Sequence, residues 1–143
     1  MKSSVKILLL SAVLTCSLSA QAADLLLFVN RGGNRIFLGC FSCDPYASAS
    51  IWNKYGNHGS KYSDRSIWNE YSDFGSEYSD YSPWNQYTEN SPVLVDRSGG
   101  FYGYFTCSRY REGRVSAKIM DFICENVDEI RDDPQEFYEK YLQ

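Results

Sequence analysis

A hexapeptide returns three times at one fixed interval. Ser50-Ile51-Trp52-Asn53-Lys54-Tyr55 recurs as Ser66-Ile67-Trp68-Asn69-Glu70-Tyr71 and as Ser82-Pro83-Trp84-Asn85-Gln86-Tyr87, each copy 16 residues after the last. The second half of the unit repeats as well: Gly59-Ser60-Lys61-Tyr62-Ser63-Asp64 matches Gly75-Ser76-Glu77-Tyr78-Ser79-Asp80. Tyr46 and Ser50 precede Tyr62 and Ser66 by the same interval, so a degraded half-copy opens the series. Such a unit cannot bury its rings alone, and neighbours must stack or wrap on the rest of the domain. Three copies are near the lower limit for a free-standing solenoid, so wrapping on an adjoining core is at least as good an expectation.

Within the unit neither a 3.6 nor a strict 2 periodicity runs through, which predicts turns with short extended pieces. Asn, Ser, Asp and Gly supply the turn chemistry. Aromatic residues make up 16% of the chain, more than a disordered tract carries. Trp and Tyr can bury a ring while a polar tip stays near water. Trp52, Trp68 and Trp84 with Tyr55, Tyr71 and Tyr87 are therefore the candidate binding face. Exposed in register, these rings would suit sugar rings or a partner surface. Buried, they are simply core, which is where Trp is mostly found.

The flanks read as ordinary folded structure. Leu25 to Val29 and Arg35 to Cys40 are strand candidates joined by a turn at residues 30–34. Val93 to Asp96 and Phe101 to Thr106 form a second hairpin across Arg97-Ser98-Gly99-Gly100. Val115, Ile119, Met120, Ile123, Val127 and Ile130 fall on one face of a helix over 115–130. Asp133, Pro134 and Glu136 are the start signals of a second helix. The order predicts an α+β domain: a hairpin over 24–43, aromatic repeats over 44–92, a hairpin over 93–107 and helices over 115–143.

The N-terminus reads as an address. Lys2 and Lys6 precede an apolar run from Ile7 to Cys16, and Ala20-Gln21-Ala22 is a small-x-small cleavage site. This predicts a secretory signal peptide over 1–22 and an exported domain over 23–143, periplasmic or secreted. Val13-Leu14-Thr15-Cys16 gives a weaker second reading, a lipid anchor at Cys16, with Thr15 a poor fit to that motif. No later stretch approaches the length of a membrane span. Cys40, Cys43, Cys107 and Cys124 remain after cleavage, and an even number in an exported chain predicts disulfides. Three connectivities exist; local closure favours Cys40–Cys43 and Cys107–Cys124.

No catalytic constellation is found. The net charge of −4 lacks the clustered basic surface that nucleic acid requires. His58 is the only imidazole and occupies the repeat position of Phe74, so it reads as an aromatic variant; without a second His, a Ser or Cys nucleophile lacks its usual base. Cys40-Phe41-Ser42-Cys43 is a CxxC, but no helical pattern follows to activate a thiolate, so a structural disulfide is favoured over a thiol–disulfide enzyme or a zinc site. Asp64 with Asp80, and Asn57 with Asp73 and Glu89, recur at the repeat period and could hold calcium between units, although they follow no known loop spacing. A solvated turn acid is the simpler reading. The expectation is no cofactor and no metal, with an unknown protein or a carbohydrate as partner.

The string Gly39-Cys40-Phe41-Ser42-Cys43, the SIWN-x-Y and G-S-x-Y-S repeats, Ser91-Pro92-Val93-Leu94-Val95-Asp96 and Gly100-Phe101-Tyr102-Gly103-Tyr104-Phe105-Thr106 carry a resemblance. The chain resembles, over roughly residues 35 to 106, a group of exported bacterial proteins with a GCxxC segment, Trp-Asn-x-Tyr repeats and a closing FYGYFT strand. The resemblance implies export and carries no activity. It does not reach the helical tail with Cys107 and Cys124, so their pairing rests on the sequence argument alone.

Overall fold

A computed structural model describes residues 23–143. The expected signal peptide and Cys16 lie outside the described residues. Strands β1 (Leu25–Arg31) and β2 (Asn34–Cys40) form a hairpin around Gly32 and Gly33, so both strands run further towards the tip than the turn residues suggest. Strands β3 (Val93–Asp96) and β4 (Phe101–Tyr104) form the second pair. Asp96 closes that turn: one carboxylate oxygen accepts from the backbone N–H groups of Ser98 and Gly100 and from the Ser98 hydroxyl, the other from Tyr102. These donors, the Ser98 hydroxyl first, hold the Asp96 carboxyl down at about 2.

The two hairpins are one antiparallel sheet. β1 pairs with β3 as well as with β2, from Leu25↔Asp96 to Phe28↔Val93, and the order is β2-β1-β3-β4. β1 and β3 therefore meet although β2 and the whole repeat lie between them in the chain. Leu27, Val29 and Leu94 on one face enter the main core; Leu26 and Val95 on the other form a smaller cluster with Cys40.

Residues 44–90 contain no strand of the sheet and no helix; they are a chain of β-turns. The backbone N–H groups of Asn53, Gly56, Ser60, Ser63 and Ser66 donate in turn to the carbonyls of Ser50, Asn53, Gly56, Ser60 and Ser63. The steps are of three residues, with one of four at Gly56. The next coil repeats the order through Asn69, Ser72, Ser76, Ser79 and Ser82. A side-chain oxygen caps most corners: Ser66 accepts from the Trp68 N–H through its hydroxyl, Asn69 accepts from the Tyr71 N–H through its amide oxygen, and Gly56 offers none. The coil interior is consequently small and polar, with Ser50, Ser66 and Ser82 fully buried. Gly59 has to be glycine here, because a Cβ would lie 2.0 Å from the Asn53 carbonyl oxygen. Large side chains have only the outside of the coil to occupy.

The first coil is seated on the sheet. Cys40 exchanges backbone hydrogen bonds with Ala49 and Ile51, and Gly39, at φ +125°, lets Ile51 and His58 approach where a side chain would collide with both. The last coil is tied to the chain beyond β4 by the Cys107 N–H donating to Pro83.

The expected helix over 115–130 is two helices, α1 (Ala117–Glu125) and α2 (Val127–Asp132). Asn126 breaks it: its side chain donates to the Phe122 carbonyl and its backbone N–H to Ile123. Met120, Ile123 and Ile130 stay in the core, while Ile119 turns outward. Helix α3 (Pro134–Tyr141) starts where the sequence indicates, with the Asp133 side chain accepting from the Glu136 N–H. Cys40 is bonded to Cys43, and Cys107 to Cys124, the latter tying the end of the sheet to α1. Among the described residues no helix is long and apolar enough to cross a membrane.

Candidate functional site

The six aromatic side chains of the candidate face separate. Trp52, Trp68 and Trp84 are buried, with exposures of 0%, 0% and 6%, so they are core and not a binding surface. Tyr55, Tyr71 and Tyr87 are 85%, 90% and 93% exposed. The reason lies in the partners available to each polar tip. The Trp68 indole donates to the Ile51 carbonyl and the Trp84 indole to the Ile67 carbonyl, each reaching back one coil, and the Trp52 indole donates to Phe41. A donor satisfied inside costs little to bury.

The Trp rings belong to a closed circuit. Phe41 meets Trp52 at 5.9 Å, Trp52 meets Trp68 at 5.5 Å, Trp68 meets Trp84 at 5.2 Å, Trp84 meets Phe105 at 6.2 Å, and Phe105 returns to Phe41 at 5.6 Å. Phe41 follows β2 and Phe105 follows β4, so the two edges of the sheet supply the rings that close it. Phe137 of α3 stacks on Trp52 from outside the circuit.

Each repeat Asn fixes the backbone that carries its Tyr. Asn69 donates from Nδ2 to the Ser63 carbonyl and accepts the Tyr71 N–H at Oδ1; Asn53 and Asn85 do the same for Tyr55 and Tyr87. A second row of exposed rings, Tyr46, Tyr62 and Tyr78, was not among the candidate residues. The signal for it was the recurring G-S-x-Y-S-D half-unit, in which Tyr62 and Tyr78 hold equivalent places.

Two clefts lie between the coils and α2. One, of about 570 Å³, has Lys61, Tyr62, Glu70 and Tyr71 on its coil side and Asp128 and Asp132 on its helix side. The other, of about 620 Å³, reaches Trp84, Tyr87 and the Cys107–Cys124 bridge. Arg131 of α2 lines both. Its guanidinium donates to the Gly75 carbonyl at 3.0 Å and pairs with Asp128 and Glu70, while its Nε is buried without a partner. Beside the first coil, Lys54 pairs with Asp133 at 3.0 Å, a second tie between repeat and helices.

The remaining candidate residues do not assemble. His58 packs against Phe37 at 4.9 Å, and burial lowers its pKa. Among the described residues the one group of three metal-ligating side chains within reach of one another is Asp24 with Cys40 and Cys43, whose sulfurs are spent on their disulfide. The repeat acids Asp64, Asp80, Asp73 and Glu89 do not converge on a common point. Nothing in the described residues indicates catalysis. Comparison with protein-family models, with curated proteins and with solved structures finds no match.

Proposed function

We propose that the protein is an exported, non-catalytic interaction module of the cell envelope or its surroundings, and that the tyrosines of the repeat are its working surface. One observation carries this reading: every copy of the unit buries its Trp and turns its Tyr almost wholly outward. A solvent-facing Tyr contributes little to folding, so a position that carries one in all three copies is explained by contact with something else. Tyr suits that task because its ring gives large contact area at low conformational cost. The coil beneath is held by turn hydrogen bonds and Asn side chains, and the two disulfides of its flanks support an extracytoplasmic location.

The test is sedimentation of the mature chain with washed insoluble envelope material. The natural protein is expected in the pellet. The triple variant Tyr55→Ser, Tyr71→Ser, Tyr87→Ser is expected in the supernatant with an unchanged melting temperature. Equal partitioning of the two proteins would overturn the reading. Fractionation of expressing cells, with the mass of the processed chain, tests export.

A further inference from the structure

We infer that the surface formed by the two clefts along α2 binds an extended, uncharged glycan with β-linked pyranose units. This names the ligand class for the interaction surface proposed above and rests on that reading.

The rings come first. Tyr62 and Tyr71 stand at one cleft, and Tyr87 stands at the other. Pyranoses whose hydroxyls are all equatorial present apolar C–H faces, which stack on aromatic rings while their edges remain hydrogen-bonded.

Charge selects against an anionic chain. Arg114 pairs with Asp121 at 2.9 Å and Arg131 with Asp128 and Glu70, Arg109 reaches Asp121 and Glu125 only at 4.0 Å, and the acids lining the two clefts outnumber the cations. These carboxylates keep lone pairs that can accept from sugar hydroxyls. Among the described residues that line the clefts, Lys61 is the one cation without a carboxylate partner, too little to hold a polyuronate or a phosphate.

Periodicity favours a polymer over a single small molecule. Successive indoles of the buried circuit lie 5.2–5.5 Å apart, so the coils stack at a close, regular step, and the exposed Tyr71 and Tyr87 recur on successive coils. The two clefts share Asp128 and Arg131, so they offer neighbouring subsites on one surface.

The experiment is calorimetric titration of the mature chain with cellohexaose and with chitohexaose, using polygalacturonate as the charged comparison. Saturable binding of at least one neutral hexasaccharide is expected, with polygalacturonate weaker. Tyr62→Ala and Tyr71→Ala are each expected to weaken binding tenfold or more. Tyr102→Ala, outside the repeat and both clefts, should bind as the natural protein does. Absence of binding by both hexasaccharides at millimolar concentration would overturn the inference, as would affinity unchanged in both alanine variants or a preference for polygalacturonate. If the sugars fail while tyrosine-dependent sedimentation persists, the glycan assignment falls and the interaction reading stands; if both fail, both fall.

Discussion

The indole Nε1 of Trp68 donates to the backbone carbonyl of Ile51 at 2.6 Å, 17 residues back along the chain. Trp84 bears the same relation to Ile67. These are direct hydrogen bonds between one coil and the next, so the repeat is joined through a side chain where a β-solenoid would use its backbone. Replacing Trp68 by Phe removes the donor and leaves a buried carbonyl unpaired, which should cost about 1–3 kcal/mol. Trp68→Ala also empties a fully buried site, and about 3–5 kcal/mol is expected. Denaturant midpoints of the two variants would show whether the larger loss follows the ring, as expected, or the hydrogen bond.

Asn69 has two separable roles. Asn69→Asp keeps an acceptor for the Tyr71 N–H but loses the donor to Ser63, whereas Asn69→Ala loses both. Asn69 is buried and an aspartate would turn a carboxylate oxygen onto the Ser63 carbonyl, so chemical denaturation should rank the aspartate variant no higher than the alanine one. The natural protein should exceed Asn69→Ala by about 1–3 kcal/mol.

Gly59 is a packing constraint of the coil interior. A Cβ there meets the Asn53 carbonyl oxygen at 2.0 Å, and backbone cannot move aside as a flexible side chain can. Gly59→Ala should cost about 3 kcal/mol or more. The same substitution at Gly32, where a Cβ meets nothing within 4 Å, should be milder, though its φ of +56° still carries some strain. Thermal melts that ranked the two equally would contradict this account of the coil.

His58 makes stability depend on pH. Burial favours the neutral imidazole in the folded chain, so its pKa lies below the unfolded value of 6.5. Its contribution is complete above that value and is lost as pH falls through the lower folded value. His58→Phe restores the residue that the next repeat carries at Phe74 and removes a buried nitrogen without a partner. The stability gap in favour of the variant should widen as pH is lowered from 7 to 5. A constant gap, measured by urea unfolding, would show that the imidazole takes up its proton equally in the folded and the unfolded chain.

The Cys107–Cys124 bridge closes a loop between the end of the sheet and α1. Replacing both cysteines by Ala should lower stability by about 3 kcal/mol through loop closure alone. Differential scanning calorimetry under non-reducing conditions would measure it.

Much of this fold was legible because it is local. Hairpin signals, the start of α3 at Asp133 and both cysteine pairs depend on residues close in sequence. The pairing of β1 with β3 was not, because nothing in Leu25–Phe28 names Val93–Asp96 as its neighbour across the whole repeat. The break at Asn126 was hidden by an apolar pattern that continues through it. At the candidate surface the spacing located the rings, but Trp and Tyr are both amphipathic, and only the carbonyl waiting one coil earlier decides which is buried. The three-residue turn step was present as Ser50, Asn53 and Gly56 followed by Ser60, Ser63 and Ser66, a finer rhythm inside the longer one.

Phe41 and Phe105, brought together by opposite edges of the sheet, seal the row of indoles at both ends. An ordinary tandem array can gain or lose a copy and remain itself, since its ends are open. Here a fourth copy would push the two phenylalanines apart, and a missing one would leave them crowding a gap. The number of copies is thus set by the width of the sheet, and a whole 16-residue unit can be neither inserted nor lost without reopening the ring circuit.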